Sequence, residues 1–264
     1  VVQRLREYCL SLGMLEVHPQ NRLSILAACE DPTTISTYNY AGQVWPLPQT
    51  GQMWLEHYLL QNPEEKGFFC VSTSYRNEPN PVPGRHDLIF PMFEFESKGN
   101  LDDLIKLESD LLVYLGLESP VVYDYEDLAT KYDVSILETE HEEQMETDIG
   151  KSVIIQHFPE RTSPFWNMKH DKDGIFKKVD VILYGQETIG SAERATDKDE
   201  MRHFFETISE GGYKDKLYDL FGKDRVEAEL KEYLSNDFYP RFGGGIGVTR
   251  LVRALKLKEN SPTF

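Results

Sequence analysis

The run SYRNEPNPVPGRHDLIFPMFEFE, residues 74–96, sets the reading of the whole chain. Residues 68–75 are apolar and β-prone, residues 79–84 hold three prolines and a glycine, and residues 88–95 are again apolar and aromatic. This pattern predicts two antiparallel strands joined by a long loop. Side chains on a strand alternate faces, so Arg76 and Glu78 share one face, as do Phe90, Glu94 and Glu96, with Arg85 and His86 at the loop's return. Such a face suits a nucleoside triphosphate. An arginine forks onto phosphate, an aromatic ring stacks on a base, and a carboxylate accepts from an exocyclic amine or helps hold a metal. Taken alone, the stretch also reads as a charged hairpin laced with salt bridges.

At 264 residues and 40% hydrophobic, the chain has material for one large core, or one core with a small insertion. No stretch approaches eighteen unbroken apolar residues, so no membrane span is expected. The opening VVQRLREYCL is charged and amphipathic, unlike a secretory signal. Cys9, Cys29 and Cys70 are odd in number and lack metal-ligand spacing, which favours a reducing compartment and an expected cytoplasmic location. With 45 acids against 28 bases and a net charge of −17, extensive contact with a nucleic acid backbone by this chain alone is disfavoured. A local basic groove is still compatible with that balance.

Working outward, Val1, Leu5, Cys9 and Leu12 recur at helical spacing before Gly13, and MLEVHP reads as a strand. In LPQTGQMWLEHYLL, residues 47–60, Met53, Leu55, Tyr58 and Leu59 make a helix face. Asn100 caps a helix whose leucines pack a core. Residues 117–150 are acid-rich, with a helix expected over 124–131, and His141 beside Glu142 and Glu143 reads as a solvated charge run. Residues 152–168 read as strand, turn and second strand. In KKVDVILYGQETIGSAER, Asp180 and Glu187 flank a hairpin turn at Tyr184 and Gly185, where paired carboxylates can converge and suit Mg²⁺. Residues 195–238 read as helical. RFGGGIGVTRLVRAL, residues 241–255, is a glycine-rich strand running into a helix, where a nucleotide can lie against backbone that has no Cβ.

Three of these segments together resemble the class II aminoacyl-tRNA synthetases of the aspartate, asparagine and lysine subgroup. R-x-E, a loop, then R-H-x-x-x-F and an acidic end is similar to motif 2; G-x-G-x-x-R at residues 245–250 is similar to motif 3; helix, glycine, L-E-V and proline is similar to motif 1. The resemblance implies an α+β fold, a mainly antiparallel mixed sheet flanked by helices. It implies that Arg76 grips the α-phosphate and the amino acid carboxylate and that Phe90 stacks on adenine. Arg85 and His86 then reach the outer phosphates, with Glu78, Gly247 and Arg250 completing the ATP site. D-x(6)-E implies Asp180 and Glu187 as ligands of a magnesium bridging the phosphates. Glu30, Gln52, Glu94 and Arg194 are implied as contacts to the amino acid. The chain departs from the pattern at Ile89, where glutamate is usual, at Thr249, where an acid is usual, and at Leu55, where aspartate enzymes carry lysine.

The resemblance covers nearly the whole chain and implies one catalytic domain over residues 1–264, residues 116–150 being peripheral and no anticodon-binding OB fold being present. ATP, Mg²⁺ and a small amino acid are the implied ligands, and motif 1 implies a homodimer. Three functions stay open: adenylation of asparagine or aspartate, with or without transfer to tRNA; an AMP-forming aspartate–ammonia ligase; and a non-catalytic paralogue that binds or regulates. Leu55 and Glu56 favour asparagine, because a buried side-chain carboxylate requires balancing charge and an amide does not.

Overall fold

The computed structural model describes residues 1–19, 25, 32–83 and 87–260. Helix α1 (Val2–Ser11) leads into the short strand β1 (Leu15–Glu16), and a surface hairpin follows, β2 (Thr37–Tyr40) with β3 (Gln43–Pro46). Helix α2 (Gln52–Gln61) precedes the hairpin read from residues 74–96. Its strands β4 (Gly67–Tyr75) and β5 (Ile89–Lys98) pair antiparallel in unbroken register, from Gly67 opposite Ser97 to Tyr75 opposite Ile89. After helix α3 (Leu101–Tyr114) come strand β6 (Val121–Asp124), helices α4 (Tyr125–Tyr132) and α5 (Thr139–Asp148), and strands β7 (Ser152–Pro159) and β8 (His170–Asp171). Strands β9 (Ile175–Leu183) and β10 (Gln186–Glu193) form the second expected hairpin. Helices α6 (Lys198–Thr207), α7 (Gly212–Phe221) and α8 (Lys223–Leu234) follow, then the glycine strand β11 (Arg241–Gly247) and helix α9 (Val248–Asn260).

Among the described residues these strands build one nine-stranded sheet in the order β1-β4-β5-β11-β10-β9-β7-β6, with β8 paired to β9. Only β1 with β4 and β6 with β7 run parallel. The sheet is thus the mainly antiparallel, helix-flanked one that the motifs imply. Strand alternation divides its two faces. Phe93, Phe95, Val179, Val181 and Ile189 point to the back, where α1, α3 and α9 cover them with Leu5, Leu104, Leu111, Leu112, Leu251 and Ala254. Each such fully buried leucine contributes about 1.5–3 kcal/mol. Asn100 starts α3 by a capping box: its Oδ1 accepts from the Asp102 and Asp103 amides at 2.9 and 3.2 Å, and Asp103 accepts from the Asn100 amide at 3.0 Å.

On the front face Phe176 and Ala192 lie under an aromatic cluster from α6–α8, and Ile182, Val153 and Ile155 lie under α4 and α5. The middle of the front face is left as a cleft. Residues 116–150 contribute an edge strand and two packed helices, and His141 serves there as a cap, its Nδ1 accepting from the Glu138 amide at 2.8 Å.

Two local expectations change. No second strand follows the turn in residues 152–168: Phe165 and Trp166 make edge-on contacts with Tyr213, Phe205 and Tyr233, and the chain turns back with the Met168 amide on the Phe165 carbonyl at 3.0 Å. On α2, Met53, Leu55 and Leu59 are buried but Tyr58 is exposed. No helix among the described residues is long and apolar enough to cross a membrane, and Cys9 and Cys70 are buried thiols.

One carboxyl sits inside this back layer. Glu108 on α3 is fully buried, on the same helix face as Leu104, Leu111 and Leu112, and burial pushes it up to about 8. Between the ordinary carboxylate range and that value the folded chain holds a proton that the unfolded chain releases, so this group makes stability fall as pH rises. Glu108→Gln removes the titration. Relative to wild type, the variant is expected to gain up to about 1.4 kcal/mol per pH unit between pH 5 and pH 8, and nothing further above it. Urea midpoints at matched pH values measure that difference.

Candidate active site

The cleft has a volume of about 370 Å³ and is floored by the strands that carry motif 2, the Asp180–Glu187 hairpin and motif 3. At one end Arg76 stands just past the end of β4, its amide on the Leu88 carbonyl at 2.9 Å and its guanidinium 5.8 Å from the Phe90 ring centre. Glu78 and Asp87 line the same end. Across the floor, Asp180 on β9 lies opposite Gly190 on β10. A Cβ built on Gly190 would be 3.3 Å from Glu187 Oε1 and 3.7 Å from Asp180 Oδ1, so the two carboxylates converge over one bare glycine. Lys178 pairs with Asp180 at 3.3 Å. Arg250, in the first turn of α9, donates to the Glu187 carbonyl at 2.8 Å and lies 3.7 Å from its carboxylate.

Two converging hard oxygen donors fit Mg²⁺, which takes one or two carboxylates and completes its shell with phosphate and water. The lining also gathers Arg76, Lys178, Arg194 and Arg250 within a chain whose net charge is −17. That local concentration of cations fits a polyanionic ligand.

The other end is built on buried ion pairs. Arg194 is 3% exposed; its Nε donates to Glu96 Oε1 at 3.0 Å and its Nη2 donates to Gln52 Oε1 at 3.0 Å. Burial holds the Glu96 carboxyl above the ordinary carboxylate range even with Arg194 bonded to it. One helical turn beyond Gln52, Glu56 accepts from Arg241 and, through Oε2, from Asn167 Nδ2 at 2.6 Å. Glu94 is turned away from the cleft lining: its carboxylate accepts from the Thr50 and Ser72 hydroxyls at 2.5 Å and from the Gly51 amide at 2.9 Å. In that position it anchors the start of α2, and burial raises its pKa.

A family model described as tRNA synthetases class II (D, K and N) matches residues 1–260. The chain belongs to that family. The fold is shared with asparaginyl-tRNA synthetase from Pyrococcus horikoshii complexed with asparaginyl-adenylate, at a TM-score of 0.78 and 19% identity over 96% of this chain and 63% of that one. Entamoeba histolytica asparaginyl-tRNA synthetase, also with asparaginyl-adenylate, gives 0.74 and 19% over 96% and 61%. A putative aspartyl-tRNA synthetase from Leishmania major gives 0.73 and 16% over 96% and 60%. The chain therefore spans about six-tenths of the length of these solved synthetases. Among curated protein sequences none matches.

Of the residues that the synthetase motifs single out, Arg76, Glu78, Phe90, Asp180, Glu187, Gly247 and Arg250 line the cleft together with Gln52 and Arg194. Glu30, Arg85 and His86 lie outside the described residues. Of the three departures, Ile89 is 63% exposed, Thr249 lines the cleft, and Leu55 is fully buried in a separate cluster with Leu59, Phe68 and Cys70. Sequence reasoning missed Lys178, Asp87 and Asn167. Lys178 had a signal, standing two residues before Asp180 and hence on the same strand face.

Gly243 on β11 is a packing requirement. A Cβ on Gly243 would stand 2.0 Å from Glu96 Cδ, which is buried and held by Arg194, whereas one on Gly245 meets only the ends of Gln52 and Met92 at 2.7 Å. Gly243→Ala is expected to cost about 1–3 kcal/mol by overpacking, and Gly245→Ala distinctly less. Equal urea midpoints for the two variants would contradict the packing of Glu96 against β11.

Proposed function

We propose that the chain activates a small amino acid, asparagine or aspartate, with ATP to give an aminoacyl-adenylate and pyrophosphate. The observation that carries this reading is that Arg76, Phe90, Asp180, Glu187 and Arg250, far apart in sequence, line one cleft with Gln52 and Arg194. In the reaction an oxygen of the amino acid carboxylate bonds to the α-phosphorus. The bond from that phosphorus to the bridging oxygen breaks, and pyrophosphate leaves with the electron pair. No protein nucleophile is needed. Arg76 neutralises charge at the α-phosphate and Arg250 charge on the departing phosphates, while Phe90 offers its face to the base. Asp180 and Glu187 would hold a Mg²⁺ ion, which supplies charge neutralisation on the phosphates. Arg194, held by Glu96, and Gln52, bonded to Arg194, receive the amino acid.

The family and the asparaginyl-adenylate carried by two of the similar structures support this reading. Exposed Leu10 on α1 and Leu15 on β1 support a homodimer as part of the same proposal. Amino-acid-dependent exchange between ATP and labelled pyrophosphate tests it. Arg76→Ala is expected to lower kcat/KM by roughly a hundredfold or more, as removal of a preorganised charge-stabilising donor does, and Asp180→Asn to raise the Mg²⁺ concentration required. Release of AMP that depends on tRNA, or instead on ammonia, assigns the acceptor. Absence of exchange with every amino acid would leave a binding protein.

A further inference from the structure

We infer that Asn167 selects a carboxamide over a carboxylate at the inner end of the cleft, which makes asparagine rather than aspartate the substrate; this rests on the adenylation reading above. Asn167 lines the cleft and is 1% exposed. Its orientation follows from chemistry. Glu56 is bonded through one oxygen to Arg241 and offers only lone pairs, so the Asn167 atom 2.6 Å from its other oxygen is the amide nitrogen. The remaining group is Oδ1, a buried acceptor to which nothing donates among the described residues. A buried acceptor left in this state is costly unless a ligand completes it.

Arg194 supplies the complementary half. Met168 bridges Arg194 across the chain and the Ala195 amide donates to the Asn167 carbonyl at 2.8 Å, so the segments carrying Asn167 and Arg194 are adjacent, and both residues line the cleft. Gln52 and Glu56, one turn apart on α2, hold Arg194 and Asn167 respectively. A carboxamide needs one donor for its oxygen and one acceptor for its N–H, which are Arg194 and Asn167 Oδ1. A carboxylate would set a lone pair against Oδ1 and bring a charge that Arg194, already balanced by Glu96, does not compensate. Leu55, buried in its own cluster away from the cleft, adds no cation.

Pyrophosphate exchange on the whole chain, with asparagine and aspartate assayed separately, tests this assignment. Wild type is expected to favour asparagine in kcat/KM by on the order of a hundredfold or more, the range for a site built to hydrogen-bond a group that the competitor lacks. Asn167→Leu keeps the volume and removes the acceptor together with the Nδ2 donor to Glu56. It should lower kcat/KM for asparagine by roughly ten- to a hundredfold more than that for aspartate. Asn167→Ser, too short to reach, should do the same. A parallel fall for both amino acids, or a wild-type preference for aspartate, overturns the inference and leaves the adenylation reading standing. If there is no exchange at all, the adenylation reading fails. Calorimetric binding of the two amino acids to wild type with ATP present then decides the inference alone, as it does if neither variant folds: tighter asparagine supports it, and equal or tighter aspartate overturns it.

Discussion

Glu96 lies against the backbone of β11 because Gly243 has no side chain, and the geometry of the inner cleft depends on that contact. The carboxylate so placed grips Arg194, Arg194 grips Gln52, and one turn along the same helix Glu56 grips Arg241 and Asn167. Strands β5, β10 and β11 and helix α2 are thereby tied by two neighbouring buried ion pairs. Such pairs contribute little net stability, because desolvation offsets most of the Coulomb attraction, but removal of one partner leaves an uncompensated buried charge costing about 3–5 kcal/mol. Their effect here is orientation. The lining groups are held by bonds made outside the cleft, so a ligand meets side chains that need little rearrangement.

The same sheet separates two kinds of carboxylate. Glu94 and Glu96 are enclosed and hydrogen-bonded within the fold, Glu96 through Oε1, whereas Asp180 and Glu187 stand over Gly190, countered by Lys178 and Arg250 through longer contacts of 3.3 and 3.7 Å. In the proposed reaction the second pair is the one that would hold a cation arriving with phosphates. A chain with 45 acids and 28 bases thus confines a dense group of cations to one concave surface. Net charge and local field differ in sign there, as they can wherever low-dielectric walls focus a few charges.

The hairpin of residues 74–96 was legible because its period of two, its proline-rich loop and its polar residues all agree, and the β9–β10 hairpin was legible for the same reason. The cleft residues on those strands inherit their face from alternation. What could not be read depends on contacts between distant segments. Glu94 shares a face with Glu96, yet Thr50, Gly51 and Ser72 close around it. Residues 165–168 are β-prone, but burial of Phe165 and Trp166 among the α6–α8 aromatics decides their path. Leu55 marks a departure from the aspartate pattern, and only the packing of α2 places it in a core away from the cleft. Asn167 is one polar residue in an aromatic run, and its significance comes from Glu56, 111 residues away.

On the proposed reading, residues from three distant segments close around one triphosphate. A crystal structure of the chain grown with a non-hydrolysable ATP analogue and Mg²⁺ tests it most directly. The base is expected against Phe90, the phosphates between Arg76 and Arg250, and the metal on Asp180 and Glu187. A nucleotide bound elsewhere, or a metal that leaves both carboxylates untouched, would contradict it.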